Sequence, residues 1–231
     1  MPRDQRAILF DLDDTLYPLR DFVRSGFGAV SQHVERLYGV DRHSMLRSLS
    51  RASRVYRGRE LQVAVARFGL PPDLVRDLVD IIRAHQPTLH LPADTAATLQ
   101  SLRSSWRLAV VTNGFPDLQR RKVEALGLAD LVDTVIYAAE HGSGRGKPDP
   151  EPFWAALESV GVTPQCGVFV GDDERCDTFG AARVGLHAIQ FAPAGPPMYP
   201  SPDAEAVVDR ISDVPSVATR IIEQETLRHV A

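Results

Sequence analysis

The chain of 231 residues is poor in cysteine and contains no long hydrophobic run. Its two cysteines, Cys166 and Cys176, are too few for a disulfide framework, so we expect reduced thiols with structural roles. No apolar run approaches the roughly 20 residues that a membrane-spanning helix needs. The first six residues also lack the pattern of a signal peptide. These absences predict a cytoplasmic protein that acts without a membrane.

The chain also lacks the excess of positive charge that proteins binding nucleic acid polymers carry. Its formal net charge is −4, which gives no electrostatic footprint for such a partner. Lysine is scarce, because only Lys122 and Lys147 among the 26 basic residues are not arginine. A compact ammonium suits a confined place where a broad guanidinium does not fit, which favours a special role for Lys147. Lys122 is equally unusual in this respect, but the sequence assigns it no role.

Short strand-like runs alternate with helical patterns along most of the chain. The runs are Ala7–Phe10, Leu108–Val111, Thr134–Tyr137, Gly167–Val170, Ala188–Phe191 and, more weakly, Ala206–Val208. Three helical segments end at a glycine followed by an apolar residue, namely Gly127, Gly161 and Gly185. This rhythm predicts an α/β fold, a Rossmann-like, doubly wound parallel sheet with helices on both faces.

Residues 18–87 break this rhythm and contain no convincing strand. Val23, Phe27, Val30, Val34 and Leu37 alternate at spacings of four and three, which is one stripe of an amphipathic helix. We therefore expect an all-helical cap domain at 18–87, inserted into a catalytic α/β core formed by residues 1–17 and 88–231.

The first strand ends in an unusual concentration of acid. Asp11, Asp13 and Asp14 follow the apolar run Ala7–Phe10, and the hydroxyl of Thr15 comes next. Three neighbouring anions at the end of a buried strand repel one another and lose hydration unless a cation or hydrogen bonds offset the cost. Because Mg²⁺ prefers oxygen ligands, the sequence predicts a magnesium site here. Asp14 is expected to serve the turn instead.

Three further polar groups follow later strands. Thr112-Asn113-Gly114 ends the second run, Lys147-Pro148 follows the loop after the third, and Gly171-Asp172-Asp173 ends the fourth. In an open parallel sheet the carboxyl ends of the strands meet at one edge, where ligands bind. The sequence therefore predicts one site that collects all four groups.

The order of these motifs resembles the haloacid dehalogenase-like (HAD) hydrolase superfamily. The motifs are Asp-x-Asp-x-Thr, Thr-Asn, Lys-Pro and Gly-Asp-Asp with a further acid at Asp177, and they span residues 7 to about 190. All four in this order are much more specific than any one alone. The resemblance implies a phosphatase of the branch that carries a helical cap between its first and second motifs.

By this resemblance, Asp11 is the nucleophile and forms an aspartyl-phosphate. Asp13 is the general acid that protonates the leaving oxygen and then the base that activates water. Lys147 neutralises charge between Asp11 and the phosphoryl group. Phosphoryl transfer needs mainly positioning and charge neutralisation, which these groups supply.

The resemblance also implies the ligand-binding residues. Thr112, with Asn113, Gly114 and Lys147, holds the substrate phosphate. The metal ligands are the side chains of Asp11 and Asp172 and the backbone carbonyl of Asp13, with Mg²⁺ as the cofactor. Thr15, Asp173 and Asp177 surround this centre, where Asp177 orients the lysine or a metal-bound water. Cys176 departs from the polar residue that many relatives have at this position.

The expected reaction is Mg²⁺-dependent hydrolysis of a small-molecule phosphate monoester, a nucleotide or a sugar phosphate. Asp13 favours phosphoryl chemistry, because the dehalogenases of the superfamily expel a halide without a proton and lack this acid. A sugar-phosphate mutase of the β-phosphoglucomutase type is an alternative that shares all four motifs. A non-catalytic phosphate-binding or phospho-receiver module is a further alternative, although the order of the motifs opposes a receiver.

One stretch also resembles a narrower group. Phe10-Asp11-Leu12-Asp13-Asp14-Thr15-Leu16-Tyr17 is similar to the same stretch in pyrimidine 5′-nucleotidase-like members of the superfamily. Tyr17 begins the junction with the cap, so this likeness reflects either substrate choice or the geometry of the junction.

Overall fold

The structure, a computed structural model, describes the backbone of residues 5–230 and the side chains of residues 5–227. The chain divides into two compact units. The first comprises residues up to Pro18 together with those from His90 onward, and the second is Leu19–Leu89. The sequence-based boundary of the insert, 18–87, differs from this division by one residue at its start and two at its end.

The second unit is helical. Its helices are α1 (Leu19–Tyr38), α2 (Arg42–Val55), α3 (Glu60–Arg67) and α4 (Leu74–Ala84). Phe27, Val30 and Val34 of the α1 stripe are buried, whereas Leu37 is 59% exposed because the helix ends one residue later. Among the described residues, no helix is long and apolar enough to span a membrane.

The first unit is built on a parallel sheet. Within the described residues, six strands form it: β1 (Ala7–Phe10), β2 (Arg107–Thr112), β3 (Thr134–Tyr137), β4 (Gly167–Gly171), β5 (His187–Phe191) and β6 (Ala206–Val208). The strand order is β3-β2-β1-β4-β5-β6, with every neighbouring pair parallel. The predicted Rossmann-like α/β fold is confirmed, and the predicted strands differ from the observed ones by at most one residue at an end.

Helices cover this sheet on both faces. They are α5 (Ala93–Leu102), α6 (Pro116–Ala125), α7 (Glu151–Val160), the short α8 (Gly180–Ala182) and α9 (Val214–Val230), and a π-helical turn at Glu174–Phe179 leads into α8. All four residues of β1 are buried. Because successive strand residues point to opposite faces, complete burial of β1 means that both faces are packed.

The order in which strands are added to the sheet reverses at β1. β1 pairs with β2 on one side and with β4 on the other, so the chain winds outward both ways from β1. Ligands of open α/β sheets bind beyond the carboxyl ends of the strands at such a switch point. The segments that follow β1, β2 and β4 therefore form the place to look for a site.

Candidate active site

The segment after β1 turns sharply and brings two acids to this edge. The backbone N–H of Asp11 donates to the carbonyl of Val170 at 2.9 Å, which extends the β1–β4 pairing by one residue. Asp14 takes a left-handed conformation with φ of 59°, and its N–H donates to the carbonyl of Tyr17 at 2.9 Å. The exposed Asp14 therefore serves the turn, and Asp11 and Asp13 precede it at the end of the strand.

A buried ammonium joins two of the acids. Lys147 Nζ donates to Asp11 Oδ1 at 2.6 Å and to Asp177 Oδ1 at 2.7 Å. The lysine is only 3% exposed. Burial by itself lowers the pKa of Lys147, but the attraction of the Asp11 and Asp177 carboxylates is greater and raises it above its ordinary value. Lys147 is therefore a fixed positive charge beside Asp11.

The loop that carries Lys147 is tied to the loop after β2. The side-chain amide of Asn113 donates to the carbonyl of Lys147 at 2.9 Å, and the N–H of Lys147 donates back to Asn113 Oδ1 at 2.8 Å. Gly146 passes so close that a Cβ there would lie 2.5 Å from Asn113 Oδ1, and its φ is 76°. Glycine is needed at this position for both reasons. That the Asn113 side chain holds the lysine backbone was not predicted from the sequence.

Three carboxylates gather beside the lysine. One oxygen from each of Asp11, Asp172 and Asp177 lies within 4.8 Å of the others. Burial, together with the charge of Asp177, raises the pKa of Asp11 to about 7 against the opposing attraction of Lys147. Burial and the charges of Asp177 and Asp14 raise the pKa of Asp172 to about 6. A cluster of hard oxygen donors that resists ionisation has the chemistry expected of a site for a divalent cation.

The segment after β4 holds this cluster in place. The N–H of Asp173 donates to Asp177 Oδ2 at 3.0 Å, so Asp177 is anchored through both of its oxygens. The Asp173 carboxylate accepts from the N–H of Cys176 at 2.6 Å and caps the following turn. Thr15 Oγ1 donates to Asp172 Oδ1 over 3.4 Å. Of the predicted surrounding residues, Asp177 thus touches the lysine, Thr15 touches Asp172, and Asp173 supports the backbone.

Asp13 lies in a second polar cluster. Lys122 Nζ donates to both of its carboxylate oxygens at 2.8 Å. The hydroxyl of Tyr17 donates to Asp13 Oδ1 at 2.6 Å, and the amide of Gln119 donates to Asp13 Oδ2 at 2.9 Å. Burial and the charge of Asp13 raise the pKa of Tyr17 above its ordinary value, which keeps its proton in this contact. The contacts of these three donors with Asp13 were not predicted from the sequence.

Two of the predicted phosphate-binding residues, Thr112 and Gly114, lie beside this second cluster, whereas Lys147 belongs to the first. Thr112, 1% exposed, ends β2, and its Oγ1 accepts from the Gln119 amide at 2.5 Å. Gly114 has φ of 122° and faces Gln119, whose Cδ would be 3.4 Å from a Cβ at this position. One glutamine therefore contacts both Thr112 and Asp13.

A signal for Gln119 and Lys122 does exist in the sequence. Both lie on α6, which begins at Pro116, two residues after Gly114 of the Thr112-Asn113-Gly114 motif. Residues three apart share one helix face, so a helix that starts beside the site directs both side chains to the same region. The scarcity of lysine marked Lys122 as well as Lys147, but a contact with Asp13 becomes evident only once the direction of α6 is known.

Cys176 does not add a nucleophile. Its pKa is raised to about 11, first by burial and then by the charge of Asp173. The thiol is therefore protonated near neutral pH and unreactive. Cys166 is also a free cysteine.

Fold and site together define a class of protein. At the switch point of a parallel α/β sheet, the buried Asp11 carboxylate pairs with Lys147, and the Asp13 carboxylate pairs with Lys122. Two further acids, Asp172 and Asp177, lie beside Asp11. Such a site suits an enzyme that attacks its substrate with a carboxylate and transfers protons with another.

Comparison with known proteins identifies the family. Residues 5–185 match the haloacid dehalogenase-like hydrolases, and the chain belongs to this family. It is 30% identical over 208 residues to the ribulose-1,5-bisphosphate 5-phosphatase of Halopiger xanaduensis, which covers 81% of this chain and 85% of that protein. It is 35% identical over 135 residues to the phosphoserine phosphatase of Thermus thermophilus. The predicted superfamily and its phosphatase branch are thereby confirmed.

The extent of these matches differs. The match to the phosphoserine phosphatase covers 58% of this chain and 53% of that protein, so the chain spans about half of its length. Among solved structures, a 2-haloacid dehalogenase from Pseudomonas syringae pv. Tomato DC3000 is 27% identical, with a TM-score of 0.64. That likeness covers 94% of this chain and 99% of the dehalogenase. The family is therefore shown over most of the chain.

Proposed function

We propose that the protein hydrolyses a small-molecule phosphate monoester with Mg²⁺ and through an aspartyl-phosphate on Asp11. The observation that carries the proposal is the position of Asp11, which is buried, held by the Lys147 ammonium at 2.6 Å and grouped with Asp172 and Asp177. Asp13 follows two residues later with its own ammonium partner. These contacts give one carboxylate for attack and another for proton transfer.

In the first step, an Asp11 oxygen attacks phosphorus and forms a new P–O bond. The bond from phosphorus to the ester oxygen breaks, and Asp13 transfers its proton to that oxygen, so an alcohol leaves. Lys147 neutralises charge on the phosphoryl group. The Thr112 hydroxyl and the backbone amides of Asn113 and Gly114 hold the phosphoryl oxygens.

In the second step, water hydrolyses the aspartyl-phosphate. Asp13 accepts a proton from the water as its oxygen bonds to phosphorus. The bond between phosphorus and the Asp11 oxygen then breaks, which releases inorganic phosphate and restores the Asp11 carboxylate. One acid–base residue thus serves both steps. When Asp13 accepts the proton from water, it returns to the protonated form that acts as the acid in the next cycle.

The metal ligands we propose are the carboxylates of Asp11 and Asp172 and the backbone carbonyl of Asp13. The grouping of carboxylate oxygens within 4.8 Å suits a hard cation that prefers oxygen. When bound, Mg²⁺ supplies positive charge that favours ionised carboxylates and neutralises phosphate oxygens. Asp177 keeps Lys147 and the start of the turn after β4 in place through its contacts with Lys147 and Asp173.

The substrate class follows from the leaving group that Asp13 serves. An alkoxide needs a proton to leave, whereas a halide does not, so the acid favours an ester of an alcohol over a haloacid. The relatives named above carry the names of phosphatases for a sugar bisphosphate and for phosphoserine. Together these points support a small polar phosphate ester, with nucleotides and sugar phosphates as the first to test.

The proposal is tested by release of p-nitrophenol from p-nitrophenyl phosphate, with Mg²⁺ or with EDTA. We expect turnover by the wild type with Mg²⁺ only, and none by Asp11→Asn. Asp117→Asn, a change at an exposed acid whose side chain is 89% accessible, is the matched control and should retain full activity. Metal-independent turnover, or an active Asp11→Asn enzyme, would show that the proposed chemistry is wrong.

A second assay identifies the product. Sugar phosphates and nucleotides are offered with Mg²⁺, and both inorganic phosphate and isomeric sugar phosphates are measured. Hydrolysis predicts one phosphate for each alcohol released. Formation of an isomer without inorganic phosphate would instead identify a mutase.

A further inference from the structure

We propose that Lys122 and Gln119 are positioning residues that hold Asp13 for proton transfer and link it to the phosphate-binding hydroxyl of Thr112. This inference rests on the function proposed above, because it concerns the acid–base residue of that reaction. It assigns a role to one face of α6. Neither residue is required to touch the substrate.

Lys122 fixes the Asp13 carboxylate through both oxygens. Its Nζ lies 2.8 Å from Oδ1 and 2.8 Å from Oδ2, and the lysine is 3% exposed. An ammonium removed from water to this extent is costly unless an anion compensates it. Contacts to both oxygens also restrict rotation about the last bond of Asp13, so the carboxylate plane is set by Lys122.

Gln119 adds a link between two functional groups. Its Nε2 donates to Asp13 Oδ2 at 2.9 Å and to Thr112 Oγ1 at 2.5 Å. A side-chain amide nitrogen carries two hydrogens, so it can make both contacts at once. The Thr112 oxygen accepts from Gln119, and its own hydrogen donates to the Asn113 carbonyl over 3.4 Å, a long contact that a phosphoryl oxygen can replace. The acid and the phosphate-binding hydroxyl are thereby held at a fixed separation.

The fold explains why one helix does both tasks. α6 starts at Pro116, two residues after the Thr112-Asn113-Gly114 motif, so its first turns stay near the end of β2. Gln119 and Lys122 are three residues apart and share a face. Tyr17, from the segment after β1, also donates to Asp13 Oδ1 at 2.6 Å. The carboxylate is therefore held by donors from two separate segments.

The test compares esters whose leaving groups differ in their need for a proton. kcat/KM is measured for p-nitrophenyl phosphate and for a simple alkyl phosphate with the wild type, Lys122→Met and Gln119→Met. General acid–base catalysis contributes about 10²–10⁴-fold. We expect Lys122→Met to lose about tenfold or more with the alkyl phosphate and only about twofold with p-nitrophenyl phosphate, which leaves without a proton. Gln119→Met should show the same pattern with a smaller loss.

Asp13→Asn and an α6 control complete the design. In the Asp13→Asn background, Lys122→Met should cause no further loss, since both changes remove the same interaction. The double variant removes both charges of the Lys122–Asp13 pair and leaves neither one unpaired, so it should fold even where Lys122→Met alone does not. Arg120→Met removes a charge from the same helix, where Arg120 pairs with Glu140, and should leave both rates unchanged.

Equal losses with both esters, or a full additional loss in the Asp13→Asn background, would overturn the inference and show that Lys122 acts on the phosphate or on the fold. If Lys122→Met does not fold, Gln119→Met decides the question by the same comparison. Failure of the proposed function has a different signature, because the wild type itself would then hydrolyse neither ester with Mg²⁺.

Discussion

The two units of the chain bury different kinds of side chain. The helical unit, Leu19–Leu89, has a core of apolar residues such as Met45, Leu49 and Leu78, and its buried polar side chains are the hydroxyls of Ser31 and Ser48. In the α/β unit the buried set includes charged groups, namely Asp11, Lys122, Lys147 and Asp177. Among the described residues, every buried charged side chain therefore belongs to the α/β unit.

This difference separates stability from function. Apolar burial stabilises a fold without regard to direction, and the helical unit relies on it. A buried ion pair contributes little net stability compared with apolar residues of the same size, because desolvation offsets the attraction. Two such sets of contacts, Lys147 with Asp11 and Asp177, and Lys122 with Asp13, lie at the sheet edge predicted to bind ligands. We infer that they are retained for chemistry.

The sharpest test of this contrast is Lys147→Met. We expect kcat to fall by about 10²–10³-fold, the range for loss of one group that stabilises developing charge. The variant should also be less stable, since Asp11 and Asp177 lose the cation between them. Steady-state kinetics with Mg²⁺ and denaturant unfolding measure the two effects.

Arg145→Met is the control for Lys147→Met, because Arg145 is two residues away and its side chain is 81% exposed. It should retain wild-type activity and stability. A Lys147→Met enzyme with undiminished kcat would contradict the role of the buried ammonium. Lys147→Arg should not restore activity, since the compact site does not suit a planar guanidinium.

Leu78→Ala tests the helical unit. Leu78 is fully buried, so the change removes apolar contacts and leaves a cavity, with an expected loss of about 2–5 kcal/mol in unfolding free energy. Leu37→Ala, at a leucine of the same unit that is 59% exposed, should change stability by less than about 0.5 kcal/mol. Similar losses from both would mean that burial does not govern stability there. Denaturant unfolding followed by far-UV circular dichroism gives both values.

Asp172→Asn should have a smaller effect on stability than Lys147→Met or Leu78→Ala, and it should stabilise the protein rather than destabilise it. The pKa values of Asp11, about 7, and Asp172, about 6, lie above the ordinary 3.8, so the folded protein holds these protons more tightly than the unfolded chain. Without a divalent cation, the resulting stability is complete below about pH 4 and is lost as the pH rises through 6 to 7. Asp172→Asn should therefore raise the unfolding midpoint by a few degrees at pH 8 in EDTA.

The same variant should show a shallower dependence of the midpoint on pH between 5 and 8. Mg²⁺ should raise the midpoint of the wild type more than that of Asp172→Asn, because a ligand that binds only the folded state stabilises it. Thermal unfolding with Asp117→Asn as the control measures each difference. A larger Mg²⁺ effect in the variant would exclude Asp172 from the metal site.

Most of the fold was predictable because its signals are local. The apolar run Ala7–Phe10 and its counterparts fix the strands, and Gly127, Gly161 and Gly185 all adopt the positive φ expected after a helix. The exposure of Leu37 was not predictable from its stripe, since periodicity identifies a helix face but not the residue at which the helix ends.

The site was predictable to the extent that its residues follow strands. Asp11 and Lys147 meet because parallel strands end at one edge, which a sequence pattern can indicate. Gln119 and Lys122 lie inside a helix, and their contacts with Asp13 depend on the path of α6. The paired hydrogen bonds between Asn113 and the Lys147 backbone likewise join two loops 34 residues apart, which no local pattern indicates.

Those two hydrogen bonds also affect how the chain tolerates change in length. They hold the backbone of Lys147 against the loop that follows β2. The position of the lysine therefore does not depend on the number of residues between the two loops. Insertions or deletions in the exposed stretch at 142–145 should change the path of the loop but not the position of Lys147. The contact between the two loops is therefore what places Lys147, and a fixed number of residues between them is not needed.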